Sequence, residues 1–180
     1  MTHPLSSFNY CPRCGSPGFE VNDFKSKRCR TCGFTYYHNA AAATVAVIFD
    51  VGNRLLVCRR AADPARGTLD LPGGFVDAGE SVEDGCCREV AEETGGRVEA
   101  MRFLFSLPNV YHYSGFEVHT ADSFFLCRLT PDQSLRPHDD AAELLWLSPA
   151  EAQPELFGLA SIRRGVERIL PDWTAGRLAW

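Results

Sequence analysis

Three glutamates are spaced so that chemistry can use them. On a helix turning about 100° per residue, Glu89, Glu92 and Glu93 fall within a sector roughly 100° wide, so three carboxylates share one flank. Glu89 and Glu93 form a like-charge pair at i, i+4, and all three acids sit toward the C-terminal end of their helix, where the dipole disfavours negative charge. Only Arg88, four residues before Glu92, compensates locally. A segment selected for stability alone would avoid this arrangement. With Glu80 and a Pro72-Gly73-Gly74 turn just upstream, the grouped hard oxygen donors suit Mg2+ or Mn2+, most of all where phosphate oxygens complete the coordination shell.

A second set is made of sulfur. Cys11, Cys14, Cys29 and Cys32 form two Cys-x2-Cys turns, each followed directly by a glycine, Gly15 and Gly33. Each turn can aim two thiolates at one point, and the glycine lets the backbone curl behind the second sulfur, so the pair of turns completes a tetrahedron for structural Zn2+. Two disulfides or a redox pair are the alternatives. Four sulfurs would close the shell and leave no position for water, which makes the expected role structural. Cys58, Cys86, Cys87 and Cys127 have no such spacing, sit in apolar stretches and read as small buried hydrophobes.

The elements that must hold these groups follow from apolar patterning. Ala43–Asp50 and Arg54–Arg60 read as two strands joined by a tight turn at Gly52-Asn53, apolar on both faces and so expected at the centre of a covered sheet. Arg97–Ser106, Tyr111–Tyr113, Phe116–Leu129 and Ala142–Leu147 are further strand-like stretches. The acidic helix should start from Ser81 as N-cap, with Asp84 as a weaker capping-box partner, and stop at Gly95-Gly96. A second helix, Ser161–Leu170, carries an Ile162, Val166, Ile169, Leu170 stripe and is expected to end at Pro171. Strands alternating with two helices imply an α/β fold, a mixed sheet sandwiched between helices.

At 180 residues and 45% apolar composition, the chain can bury one full core plus a small appendage. Its longest apolar run, Ala40–Phe49, is about half of what a membrane helix requires, and a soluble cytoplasmic protein with no membrane partner is expected. The net charge of −5 is unevenly spread: residues 1–38 carry five basic and two acidic side chains, +3, which leaves −8 for the rest. Four thiolates around Zn2+ would bring the first segment to about +1. An acidic body and a weakly charged appendage argue against a general nucleic-acid binder. Among groups able to recognise a nucleotide, Arg59 and Arg60 could clamp phosphate, and Tyr111, Tyr113, Phe116, His112 and His119 could stack on a base or contact phosphate.

In register, Gly74, Glu80, Arg88, Glu89, Val90, Glu92, Glu93 and Gly95 resemble the Nudix box, Gly-x5-Glu-x7-Arg-Glu-U-x-Glu-Glu-x-Gly-U, with U a bulky aliphatic residue; only the last U departs, being Gly96. The resemblance implies a Nudix-type α/β/α sandwich over residues 39–180, preceded by a zinc ribbon at residues 1–38. It implies that Glu89, Glu92 and Glu93 hold catalytic Mg2+ or Mn2+, aided by Glu80 and the Gly74 carbonyl, and that Arg88 orients a glutamate. Glu93 is the first choice of general base, with Asp140 and Glu143 as alternatives. A ribbon before such a domain is similar to the arrangement in NADH pyrophosphatases and in relatives acting on FAD or ADP-ribose. The Ser-Gln-Pro-Trp element of NADH pyrophosphatases is replaced here by Ser106-Leu107-Pro108-Asn109. The expected reaction is divalent-metal-dependent hydrolysis of the pyrophosphate bond in a nucleoside diphosphate linked to another moiety, of ADP-ribose, NAD(H) or FAD type. Alternatives are a non-catalytic nucleotide-sensing or nucleic-acid-associated module, and a nucleoside triphosphate pyrophosphohydrolase. The expected partner is a small-molecule nucleotide, and relatives of this kind are often homodimers.

Overall fold

The computed structural model describes residues 2–113 and 115–178. The chain divides into two compact units, Met1–Ala40 and Ala41–Trp180.

In the first unit, β1 (Phe19–Asp23), β2 (Ser26–Cys29) and β3 (Thr35–Tyr37) form an antiparallel sheet in that order. Its small core is Cys11, Phe19 and Cys29, with Cys32 and Phe34 packed against them. An apolar core of this size stabilises little by itself.

The second unit holds β4 (Ala41–Ile48), β5 (Leu55–Arg60), β6 (Leu69–Asp70), α1 (Val82–Thr94), β7 (Val98–Tyr113), β8 (Phe116–Leu129), β9 (Ala141–Leu147) and α2 (Ala160–Thr174). Two three-stranded sheets result, ordered β4-β8-β7 and β6-β5-β9. β4 and β8 run parallel while the other pairings are antiparallel, so the sheet is mixed as expected. Successive residues of β4 face opposite ways: Val45 and Val47 join a core with Leu55, Val57, Ile162, Val166 and Ile169 on the α2 side, whereas Ala46 and Ile48 join Leu56, Cys86 and Val90 on the α1 side. This is an α/β/α arrangement. No helix among the described residues is long and apolar enough to cross a membrane.

Three local expectations are corrected. β4 and β5 are not hairpin partners; a single bridge, Phe49 to Leu55, closes the turn, and the strands then part into different sheets. Strands apolar on both faces are satisfied by any covered position, so their pattern does not select a neighbour. The free side of β4 instead takes the 72–76 segment, with Thr44 N–H donating to the Gly74 carbonyl (2.9 Å) and Ala46 N–H to that of Pro72 (2.7 Å). Second, the stretches on either side of Pro108 form one continuous strand. Proline is tolerated because β7 ends its sheet and needs no outward N–H, and the Pro108 carbonyl accepts from Arg164. Third, α2 runs through Pro171 to Thr174. Its last turn is held by fully buried Trp173, whose ring N–H donates to the Asn53 carbonyl at 2.9 Å.

The acidic helix follows its signals. Ser81 Oγ accepts the Asp84 N–H (3.1 Å) and donates to the Asp84 carboxylate (2.7 Å), and Gly95, at φ 69°, closes the C-terminus. Where the family pattern asks for an aliphatic residue, a side chain on Gly96 would meet Leu135 and Leu129, which fill that volume.

Candidate active site

A cleft of about 520 Å3 opens in the second unit, with Glu89, Glu92 and Glu93 on one wall and the end of β5 on another. α1 places the acids there because its apolar residues Cys86 and Val90 face the core, turning the flank with the glutamates toward the 72–76 segment. Arg88 gathers them. Its Nε and Nη2 donate to both oxygens of Glu80 (2.9 and 3.0 Å), Nη1 to Glu89 (2.8 Å) and Glu92 (2.9 Å), and Nη2 also to the Phe75 carbonyl (2.8 Å). All five guanidinium N–H donors are thus committed. These carboxylates hold the Arg88 pKa above its ordinary value, the Glu80 hydrogen bonds most of all.

Glu93 stands apart from this fork. It is 7% exposed, and its Oε2 accepts the Gly73 N–H at 3.1 Å. Burial pushes its pKa up to about 8, with the charges of Asp70, Glu89 and Asp140 adding and the Gly73 N–H opposing. Gly73 approaches β4 so closely that a Cβ would overlap the Thr44 carbonyl, and its φ of 150° belongs to the region that favours glycine. At Gly74 the volume of a Cβ is occupied by the Glu89 carboxylate, 2.6 Å away. Backbone and acids are therefore fitted to each other, and the donors are the hard oxygens that divalent cations take. The Gly74 carbonyl spends one lone pair on Thr44 and keeps one.

The other expected residues divide. Arg60 and Tyr111 line the cleft, Tyr111 with its ring 5.9 Å from that of Phe75; Arg59 and His119 do not. Arg59 pairs with Glu143 (2.9 Å) and the Gly67 carbonyl (3.0 Å), and His119 stands 3.9 Å from Glu117. Glu143 is off the cleft as well, whereas Asp140 lines it. Asp70, a cleft residue that sequence reasoning passed over, forms a 2.6 Å ion pair with Arg60. Burial pushes the Asp70 carboxyl pKa up while Arg60 pulls it down. Its signal was present: an acid between two leucines, Leu69 and Leu71, is costly to bury unless paired.

In the first unit the four Sγ atoms lie within 4.8 Å of one another, the one such ligand group among the described residues. The Cys11–Cys32 and Cys14–Cys29 distances are both 3.7 Å. A tetrahedron with metal–sulfur bonds of about 2.3 Å has edges of about 3.8 Å, so the cage fits a metal ion. The Cys29 thiol is pushed down to about 6, chiefly by the Cys32 backbone N–H.

A family model described as NUDIX domain matches residues 39–168. The chain is similar to the NAD-capped RNA hydrolase NudC of Vibrio parahaemolyticus, 27% identical over 170 residues that cover 94% of this chain and 62% of that protein. It is also similar to the ADP-ribose pyrophosphatase of Methanocaldococcus jannaschii, 40% identical over 76 residues, 41% of this chain and 44% of that one. The chain thus spans about three fifths or less of the length of these curated relatives. A NUDIX hydrolase structure from Nitrosomonas europaea shares the fold over 96% of both chains, with a TM-score of 0.74 at 22% identity.

Proposed function

The chain belongs to the Nudix family, and from that premise we propose that it hydrolyses the pyrophosphate bond of a nucleoside diphosphate linked to a second group, of ADP-ribose, NAD(H) or FAD type. The observation that carries the proposal is the Arg88 fork, which is anchored on Glu80 and holds Glu89 and Glu92 beside buried Glu93 in a cleft of nucleotide size. The substrates these relatives are named for, NAD-capped RNA and ADP-ribose, favour a molecule in which a diphosphate joins a nucleoside to a second group.

Glu89, Glu92 and Glu93, with Glu80 and the Gly74 carbonyl, are the assigned holders of Mg2+ or Mn2+, which when bound would neutralise the diphosphate and acidify a water. The chain's own residues supply the rest. Glu93, held at Oε2 by the Gly73 N–H, is the first choice to take the proton of the attacking water. Arg88 orients its three carboxylates. Arg60 donates to a phosphate from the opposite wall, and the Tyr111 ring offers a stacking face. In the first unit Cys11, Cys14, Cys29 and Cys32 are assigned structural Zn2+. Eight cysteines, none in a disulfide, fit a reducing compartment, and we place the protein in the cytoplasm.

The test is a panel of ADP-ribose, NADH, FAD, coenzyme A, an NAD-capped oligonucleotide and nucleoside triphosphates with Mg2+ or Mn2+, read by product mass. Two monophosphate products from a linked diphosphate, lost by about 10²- to 10⁴-fold in Glu93→Gln and in Glu92→Gln, are expected. Binding without turnover would make the chain a sensor. Pyrophosphate released from triphosphates, with linked diphosphates left intact, would place it among triphosphate pyrophosphohydrolases.

A further inference from the structure

The cations that line the cleft among the described residues are Arg60 and Arg88. Arg88 has spent all five donors on acids and the Phe75 carbonyl, so it has none for a phosphate. Arg60 differs. Its Nε donates to the Pro64 carbonyl (2.7 Å) and one Nη1 hydrogen to Asp70 Oδ2 (2.6 Å), which leaves the second Nη1 hydrogen and both on Nη2 unspent. Asp70 is itself pinned: its Oδ1 accepts the Leu71 N–H at 2.8 Å, and it lies across from Cys58 in the β5–β6 ladder.

The pair is largely buried, with side chains 17% and 8% exposed. A buried ion pair returns in attraction roughly what it costs in desolvation, and apolar side chains of the same size would hold β5 to β6 as well. Stability therefore gives no reason to place an acid there. Orientation does, because a guanidinium gripped at Nε by a carbonyl and at Nη1 by a carboxylate has lost its rotational freedom before any ligand arrives.

We propose that Asp70 is a positioning residue: it locks Arg60 so that the unspent donors of this one uncommitted cleft cation receive a phosphate of a nucleoside diphosphate, opposite the acids of α1. The proposal rests on the nucleotide reading above but not on turnover. Its test measures binding of α,β-methylene-ADP with Mg2+ by titration calorimetry, alongside KM and kcat for ADP-ribose, in Asp70→Asn, Arg60→Met and the double variant, with thermal melts to establish folding. Each single change should raise Kd and KM about tenfold while kcat stays within about threefold, and the double variant should be no worse than either. Arg60→Lys, which keeps the charge and loses the planar fork, should also bind weakly.

Wild-type Kd in a folded Asp70→Asn, or effects that add in the double variant, would overturn the proposal. If Asp70→Asn does not fold, Asp70→Glu decides: a raised Kd in the folded variant supports positioning, and an unchanged one opposes it. A wild-type chain that binds the analogue through this pair yet hydrolyses nothing would remove the pyrophosphatase reading and keep this one. Turnover with Kd and KM untouched in Asp70→Asn would do the reverse.

Discussion

Glu93 and Gly74 show how closely single residues are matched in this cleft. Adding one methyl at Gly74 asks the Glu89 carboxylate, 2.6 Å away, to move. Gly74→Ala should lower kcat by about 10- to 100-fold, the cost of displacing a group at the reacting centre by about 1 Å, while circular dichroism melts show a folded body. Glu93 makes a pH prediction. Its pKa is raised from 4.5 to about 8 by burial, so over that interval the folded chain keeps a proton that the unfolded chain has released. A folded state that binds more protons loses stability as pH rises. Without divalent ions the melting temperature should fall between about pH 4.5 and 8, and Glu93→Gln should make that slope shallower, with Asp70 supplying a remainder of the same sign. A slope unchanged in Glu93→Gln would mean that the acid is ionised in the apo chain. Mg2+ should oppose the fall by favouring the carboxylate.

Among the elements, α2 poses the sharpest contrast between local propensity and packing. Pro171 lacks the N–H an interior helical residue donates and is exposed, yet the helix continues for three residues because Trp173 is fully buried against Phe49. Pro171→Ala should therefore stabilise the body by about 1–3 kcal/mol, and Trp173→Ala should destabilise it by about 3–5 kcal/mol, both read as shifts of the denaturation midpoint. Destabilisation by Pro171→Ala would mean that the proline ring is itself a packing element. The same contrast explains what was legible at this scale. α1 was readable to within a residue because Ser81 and Gly95 act on their own neighbours. The end of α2 was not, since its deciding contact, Trp173 with Asn53, spans 120 positions.

At the scale of the molecule, the assignments proposed above divide the two units by ligand type, sulfur in the first and carboxylate in the second. Atomic absorption should find about one zinc per chain, and replacement of Cys11 and Cys14 by Ser should remove it and unfold the first unit, since its apolar core is too small to stand alone. A folded, metal-free double variant would overturn that assignment. By itself the sequence determined the features that depend on neighbours along the chain: the flank shared by Glu89, Glu92 and Glu93, the turns that aim the four cysteines, the caps of α1 and the α/β class. Only the tertiary structure decided that β4 and β5 part into two sheets, that Arg60 reaches the cleft while Arg59 turns to Glu143, and that Asp70 stands behind Arg60. The reason is physical. Adjacent strand residues face opposite ways, and a register shift falls between Arg59 and Arg60, so which of two identical side chains lines the cleft is set by strands paired from far along the chain, to which no local period responds.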